Sequence, residues 1–247
     1  MTTTLKFISF LWAFLMCTGA VSAQGGGLAD HLRIGFGAGA NSAHIIALSP
    51  YNIYEDLTGT AYGNSYSPML QNIGNQYFVQ AEWYNDFLAV VLKPGTYTYR
   101  FSKRNEVVFS RETVEQNTPY LLRYLSIPLE VRVRVGLERF RPYAGLSVAY
   151  SHMLGSNDAS NRTFIRPKIT AGGVLGTYID LAFVVLDLNA GYRTGLHNIA
   201  SKANRFNTGN GTSYAQDDLL LNDLQLSLSV LFSLQKQNRR GSLKCYY

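Results

Sequence analysis

The sequence predicts an all-β fold: a transmembrane antiparallel up-and-down β-barrel of about eight strands. Apolar and polar side chains alternate with a period of two in stretch after stretch. This alternation is typical of strands, because successive side chains of a strand point to opposite faces. The polar face carries bulky ions beside glycines, as expected of a small lumen. Long and short connections between the stretches also alternate, as they do in outer-membrane barrels.

Eight stretches show the alternation, and we expect each to form one strand: residues 32–40, 76–84, 87–101, 125–136, 139–151, 165–175, 184–193 and 223–234. In the third stretch, Pro94 and Gly95 predict a bulge, after which Tyr97, Tyr99 and Phe101 take over the outward apolar face. A soluble lipocalin-like barrel would need a polar exterior, and these strands offer Leu, Ile, Val and aromatic side chains instead.

Four long polar segments are expected to be loops: residues 42–74, 102–119, 155–163 and 198–218. Short turns are predicted at Asn85 and Asp86, at 136–138 and at 176–180. An even number of strands with this order of connections places both termini at the periplasmic end. The glycines of the first strand resemble a dinucleotide-binding loop, but no helix follows them. Glycine that makes room in a narrow lumen is the simpler interpretation.

The first 23 residues predict an export signal, with Lys6 as its positive charge and residues 7–16 as its short apolar run. Small residues at Val21, Ser22 and Ala23 predict cleavage after Ala23. We expect residues 24–234 to form the barrel in the cell outer membrane of a Gram-negative bacterium. Residues 235–247 then form a basic periplasmic tail, either docked on an acidic partner or disordered.

Composition excludes several classes of protein. The formal net charge of +6 is modest, and with export predicted we expect no nucleic-acid partner. Removal of the export signal leaves Cys245 as the single thiol, so no internal disulfide can form. No histidine or cysteine cluster has the spacing of metal ligands, and we expect no cofactor.

Charged side chains of the polar parity are expected to point into the lumen: Glu82, Glu130, Arg132, Arg134, Arg139, Arg141, Arg166, Lys168, Asp187, Arg193 and Asp223. The interior of a barrel of about eight strands is just wide enough for side chains to fill. Buried charges of this number must pair, so we predict a water-containing salt-bridge network with Glu130 at its centre. Two functions stay open for it: a rigid plug of paired charges, or an anion pathway through a small-solute pore.

The tyrosines of the first long polar segment are a second candidate: Tyr51, Tyr54, Tyr62 and Tyr66. Tyrosine offers contact area and a hydrogen bond together, so these side chains could form a contact surface for a partner. The alternative is that they populate the aromatic girdle of the membrane and the loop bases above it.

A lipid-modifying hydrolase of the outer leaflet is a third possibility, since small barrels with such activity exist. A hydrolase needs a nucleophile within hydrogen-bond reach of a base. Ser151 and His152 are adjacent on one strand and therefore face opposite sides, which argues against a dyad between them. His197 could approach His152, but no acidic group is evident to orient the pair.

Four sequence runs resemble the PorT-type outer-membrane barrels of Bacteroidetes: residues 124–129 (Y-L-S-I-P-L), 141–146 (R-P-Y-A-G-L), 191–196 (G-Y-R-T-G-L) and 226–232 (L-S-L-S-V-L-F). The resemblance spans the chain from about Leu32 to Leu234. It implies an outer-membrane barrel, and the family includes a factor needed for type IX secretion and gliding. We therefore expect a non-enzymatic structural or assembly component whose partners are outer-membrane lipid and secretion or envelope proteins. A narrow small-solute channel is the main alternative and the hydrolase ranks third.

Overall fold

The computed structural model describes residues 31–49, 64–109, 112–136, 139–157, 164–181, 184–200, 206–207, 214–215 and 218–233. The predicted export signal, the basic tail, Leu234, and Tyr51, Tyr54 and Tyr62 lie outside these residues. The described residues include no helix that is long and apolar enough to cross a membrane.

Strands make up most of the described chain. In chain order they are β1 (Leu32–Ser49), β2 (Asn64–Tyr66), β3 (Ile73–Tyr84), β4 (Leu88–Leu92), β5 (Gly95–Phe109), β6 (Glu112–Arg134), β7 (Phe140–Ser156), β8 (Pro167–Asp180), β9 (Val185–Gly195), β10 (Phe206–Asn207), β11 (Tyr214–Ala215) and β12 (Asp218–Ser233).

The strands close into a ring, which confirms the predicted eight-stranded up-and-down barrel. Around the ring the order is β1, β12, β9, β8, β7, β6, then β4 with β5, then β3, which pairs with β1 again. All neighbours are antiparallel. β4 and β5 share one position because both pair with β3 on one side and with β6 on the other. Short connections lie at one end of the barrel, called the turn end below, and long ones lie at the other, called the loop end.

The outer surface of the ring is apolar. Phe36, Leu146 and Leu175 are 61%, 73% and 63% exposed, and large apolar side chains are exposed on the other strands of the ring, except at the position shared by β4 and β5, where the outward apolar side chains of β4 are half-buried. The residues between them along each strand point inward and are buried, as in the alternating pattern of β7 and β9. A continuous belt of this kind is stable in hydrocarbon and not in water, so the barrel spans a membrane.

Aromatic side chains border this apolar belt on both sides. Phe87, Phe140 and Phe232 are exposed near the turn end, and Tyr77, Tyr150 and Tyr192 are exposed nearer the loop end. Ten residues separate Phe140 from Tyr150, which is about 33 Å along a strand and about 25 Å across a membrane at a tilt of about 40°. Two aromatic girdles at this spacing match the apolar band of an outer-membrane barrel.

The predicted bulge at Pro94 and Gly95 is wrong. Leu92 lies opposite Leu129 and Gly95 lies opposite Ser126, so the register continues unchanged past the proline. Pro94 lacks a backbone N–H but adds no extra residue to the strand. The odd-numbered residues after it therefore still point inward. Tyr97, Tyr99 and Phe101, which we expected on the outer face, are therefore buried inside the barrel.

Several predicted loops are strand instead. β1 continues to Ser49, and the segment expected to be a loop at 102–119 is an antiparallel hairpin in which β5 pairs with β6 as far as Phe109 opposite Glu112. The turn expected at 176–180 belongs to β8, which ends at Asp180. The turn at Asn85 is confirmed: its Oδ1 accepts hydrogen bonds from the backbone N–H groups of Phe87 and Leu88. Polar composition misled the assignment of the 102–119 hairpin, because strands that project into water need no apolar face.

Candidate functional site

The barrel interior is the candidate site, because charged side chains of both signs are buried there. Those buried among the described residues are Arg33, Glu82, Lys93, Glu130, Arg132, Arg134, Lys168, Asp187, Arg193 and Asp223. We divide them by their position along the strands into a lower cluster at the turn end (Arg33, Glu82, Arg134), a central cluster (Lys93, Glu130, Arg132, Asp187) and an upper cluster (Lys168, Arg193, Asp223).

Arg132 is the centre of the network, and not Glu130 as the sequence led us to expect. Its Nε donates to Glu130 Oε2 at 2.8 Å, and its Nη1 donates to Asp187 Oδ2 at 2.8 Å. The same guanidinium lies 4.3 Å from the ring centroid of Tyr143. One side chain on β6 thus links a carboxylate on its own strand to another on β9, across the lumen.

The remaining contacts of the central cluster complete its charge balance. Lys93 Nζ lies 3.3 Å from Glu130 Oε2, so each of the two carboxylates has a cation beside it. Asp187 also accepts hydrogen bonds from Gln80 Nε2 at 2.9 Å and from the Tyr143 hydroxyl at 2.6 Å. Two cations and two carboxylates with these hydrogen bonds form a compensated group, which is the condition under which buried ions are tolerated.

Lys93 and Arg33 were absent from the predicted set of lumen charges. Arg33 belongs to the inward parity of β1, and Lys93 has the inward parity of its strand, shared with the buried Ala89 and Val91. The bulge that we expected immediately after Lys93 obscured that parity. The alternation itself was sufficient to find both residues.

The lower cluster is held more loosely. Glu82 Oε1 lies 3.7 Å from Arg33 Nη1 and 3.9 Å from Arg134 Nη1, distances of ion pairs without a direct hydrogen bond. Arg33 also lies over the ring of Tyr84, 3.9 Å from its centroid, and Arg134 donates to the backbone carbonyl of Asn85. Two arginines share one carboxylate here, so this cluster carries one positive charge in excess.

The upper cluster contains one ion pair and one lysine outside it. Arg193 Nη2 donates to Asp223 Oδ2 at 2.9 Å, and the same oxygen accepts from the hydroxyl of Tyr99 and from Gln225 Nε2. Lys168 Nζ lies 4.0 Å from the ring centroid of Tyr99 and 5.2 Å from that of Tyr124. Among the described residues, its ammonium therefore contacts aromatic faces and not a carboxylate.

An apolar plug covers the upper cluster at the loop end. We give this name to the packed side chains of Ala43, Ile45, Phe101, Leu122, Met153, Phe164, Ile199, Ala200, Leu219 and Leu221. Residues of two connections reach inward to join it, because Phe164 bridges to Ala200 and the N–H of Ile199 donates to the carbonyl of Leu219. A second apolar cluster of Tyr143, Val174, Tyr178, Val185 and Leu231 lies toward the turn end. Paired ions and apolar side chains thus occupy the described interior together.

Three predicted lumen charges lie outside this interior. Arg139 and Arg166 are exposed and lie one residue before β7 and β8, and Arg141 is half-buried near the start of β7. The alternation predicted which face of the strand these residues are on, but not how far along the barrel axis they lie. At the rim of a barrel a long cationic side chain extends into water and avoids the cost of burial.

The geometry separates the residues proposed for a hydrolase. Ser151 points inward and is buried, with its Oγ 2.7 Å from Ser126 Oγ, whereas His152 is exposed on the outer face. His197 Nε2 contacts the carbonyl oxygen of Pro167 at 3.0 Å, and Pro167 lies opposite His152 in the register. The two histidines are therefore near one another, but Ser151 is on the other side of the barrel wall. Within the described ranges, no three His, Cys, Asp or Glu residues could hold a metal ion.

Of the loop tyrosines, Tyr66 is the one inside the described ranges. It belongs to β2, is half-buried, and its ring centroid lies 6.3 Å from that of Phe101.

Comparison with known proteins gives structural similarity only. No family model matches the chain, and no curated protein matches it. Neisserial surface protein A (NspA) has a TM-score of 0.42 and 15% identity, covering 81% of this chain and 96% of that one. Ail, the attachment invasion locus protein of Yersinia pestis, in complex with the heparin analogue sucrose octasulfate has a TM-score of 0.40 and 10% identity over 82% and 99%. A further structure of Ail has a TM-score of 0.34 and 12% identity over 81% and 98%.

Proposed function

We propose that this protein is a non-enzymatic outer-membrane barrel that serves as a structural or assembly component of the bacterial envelope. The filled interior is the observation that carries the proposal. Ion-paired clusters occupy the lumen from Glu82 to Asp223, and the apolar plug covers them at the loop end. A barrel whose described interior is filled in this way keeps its shape, and side chains occupy the space that an aqueous path would need. Its function then depends on surfaces outside the membrane.

The surface that we assign to partners is the one that projects at the loop end. Pairing of β6 with β7 ends at Leu122 opposite Ser156, while pairing of β6 with β5 continues for ten more residues. β2 pairs with β5 at residues 103–105 and widens this projection to three strands. Tyr66 on β2, together with Tyr51, Tyr54 and Tyr62 before it, supplies side chains that favour protein contact. The partner class is secretion or envelope proteins, and lipid covers the sides of the barrel.

Planar-bilayer recording of the purified protein tests the absence of a channel. We expect no steady open events at potentials at which a porin of similar size conducts. The matched control is a variant whose plug is opened by Phe164→Ala and Ile199→Ala together, because both side chains reach inward from connections at the loop end. Steady openings of the wild-type protein would overturn the proposal in favour of the narrow small-solute channel.

The resemblance to PorT-type barrels supports type IX secretion or gliding as the process that the component serves. A deletion strain should lose secretion of type IX cargo or colony spreading, and the wild-type gene should restore it. Crosslinking in that strain, followed by identification of the co-purifying proteins, names the partner. A deletion strain with unchanged secretion and spreading would contradict this part of the proposal. Lipid A mass spectra should be identical in the two strains, since we assign no hydrolase activity.

A further inference from the structure

The buried charges of the barrel do not balance. Among the described residues the buried cations are Arg33, Lys93, Arg132, Arg134, Lys168 and Arg193, and the buried carboxylates are Glu82, Glu130, Asp187 and Asp223. The central cluster is neutral, so the excess lies in the lower and upper clusters. The lower cluster is next to the turn end, where solvent is close. The upper cluster is enclosed beneath the apolar plug, and its excess needs a different explanation.

Lys168 is the source of the excess in the upper cluster. Its side chain is 1% exposed, and its Nζ has no hydrogen-bond partner and no carboxylate in ion-pair range within the described structure. The rings of Tyr99 and Tyr124 stabilise the ammonium from one side, at 4.0 and 5.2 Å. An ammonium that no carboxylate contacts directly is unfavourable in a low-dielectric interior, and aromatic faces offset only part of that cost.

Arg193 faces the same part of the lumen, and some of its guanidinium N–H groups make no hydrogen bond within the described structure. One of its terminal nitrogens binds Asp223, but Nε and Nη1 have no hydrogen-bond partner in the part of the chain that the structure describes. Arg193 lies 5.6 Å from the ring of Tyr97 and Lys168 lies 4.0 Å from the ring of Tyr99. These rings are same-face neighbours on β5, about 7 Å apart along the strand. Both cations therefore lie beside the same stretch of the inner face of β5, and we take the space between them as the position of a shared ligand.

Further donors line the same space. The ring of Tyr124 lies 5.2 Å from Lys168 Nζ, and its buried hydroxyl has no hydrogen-bond partner among the described residues. Ser126 and Ser151 share one hydrogen bond between their hydroxyls, so the second hydroxyl proton of the pair is available, and Ser151 lies opposite Lys168 in the register. Ammonium, guanidinium and hydroxyl protons that converge in an enclosed space form an anion site.

We propose that the barrel binds one small monovalent anion, of the class of chloride, between Lys168 and Arg193 beneath the apolar plug. One negative charge neutralises the upper cluster, in which Asp223 already balances one of the two cations. The anion is a structural ligand that is enclosed when the barrel folds, and not an ion in transit, because the plug covers the site. It stabilises the folded barrel and not the unfolded chain.

Refolding in detergent with different sodium salts at equal ionic strength tests the site, with bromide or chloride compared with the bulky anion gluconate. The midpoint of thermal unfolding, Tm, is measured by the heat-dependent shift of the folded band on a gel. Once bromide exceeds its Kd, each tenfold increase should raise Tm by about 3 to 6 °C in the wild-type protein. Lys168→Met should abolish this dependence and should be more stable than the wild-type protein in gluconate, because the unpaired charge is gone.

Lys93→Met is the matched control, since Lys93 is also a buried lysine but has Glu130 at 3.3 Å. This variant should lose stability in every salt and keep the response to bromide. Anomalous diffraction from wild-type crystals grown in bromide gives a second readout that requires no variant. We expect one bromide peak within hydrogen-bonding distance of Lys168 Nζ. A Tm that responds to bromide equally with and without Lys168, or crystals without an internal peak, would overturn the proposal.

Discussion

At two places in the barrel wall, a large buried arginine lies opposite a glycine on the neighbouring strand. Arg132 lies opposite Gly145 and Arg193 lies opposite Gly172, so the two largest buried ions each have a neighbour without a side chain. This observation supports the prediction that glycine makes room in the narrow lumen. The sequence contained both members of each pair, but the pairing depends on register, which the alternation alone does not determine.

Gly172→Ala and Gly173→Ala form a matched test of this role. A Cβ at Gly172 would lie 2.6 Å from the Cα of Arg193 and closer still to the carbonyl oxygen of Tyr192, whereas at Gly173 the nearest atom is 3.8 Å away. Overpacking predicts that Gly172→Ala lowers the free energy of unfolding by about 1–3 kcal/mol. Gly173→Ala, on the lipid side, should be neutral or slightly stabilising. Equal Tm values for both variants would show that the close approach of β9 to Gly172 does not require glycine there.

Arg132→Met removes the centre of the ion network at nearly constant volume. Glu130 keeps Lys93, and Asp187 keeps Gln80 and Tyr143, but two carboxylates then share one cation. A buried pair broken on one side costs about 3–5 kcal/mol, so we expect a clear fall in the Tm of the refolded barrel. The control Arg139→Met removes an exposed rim arginine and should leave Tm unchanged. A Tm that changes as little in Arg132→Met as in the control would contradict the assignment of Arg132 as the centre.

At the scale of strands, the sequence predicted correctly which side chains face lipid wherever the alternation of apolar residues was unbroken. The outward faces of β7, β9 and β12 lie as predicted because the alternation continues through each strand. The prediction failed at β5, where tyrosine and phenylalanine occupy the inner face near the loop end and polar residues occupy the outer face. Aromatic side chains suit a packed plug as well as a membrane surface, so hydrophobicity could not decide the parity there.

The β5–β6 hairpin beyond the barrel should be dispensable for folding. Arg104 lies opposite Asn117, so residues 105–116 can be replaced by Asn-Gly, which forms a two-residue hairpin turn. The shortened protein should refold with an unchanged Tm, measured by heat-dependent gel migration. It should also fail to restore secretion in the deletion strain if this surface binds the partner.

A deeper deletion gives the contrast for this experiment. Phe101 and Tyr120 lie opposite one another with ring centroids 5.2 Å apart, and Phe101 belongs to the apolar plug. A variant that also loses these two residues should have a lower Tm, because the plug loses packed aromatic surface. If the short deletion destabilises the barrel as much as the deep one, the hairpin is part of the folding unit.

For the whole molecule, the closed ring and its lipid exposure could be predicted, but the partners of the charges could not. The sequence contains eight stretches with apolar alternation, and a sheet of eight such strands has no unpaired edge when it closes into a ring. The barrel could therefore be predicted from the sequence. The contact of Arg132 on β6 with Asp187 on β9 crosses the lumen between strands that are not neighbours. Such a contact depends on the tilt and stagger of the closed barrel, which no local pattern contains.

The apolar belt predicts that the cost of a charge on the outer face depends on depth. Val148 is 53% exposed near the middle of β7, and Phe140 is 48% exposed at its turn end, in an aromatic girdle. In lipid bilayers, Val148→Arg should lower the free energy of unfolding by about 2–4 kcal/mol and Phe140→Arg by about 0–1 kcal/mol. The free energy of unfolding of both variants is measured by urea unfolding, with tryptophan fluorescence as the signal. If water covered this face, two exposed sites on one strand would tolerate arginine about equally, so equal effects would remove the physical basis for placing this barrel in a membrane.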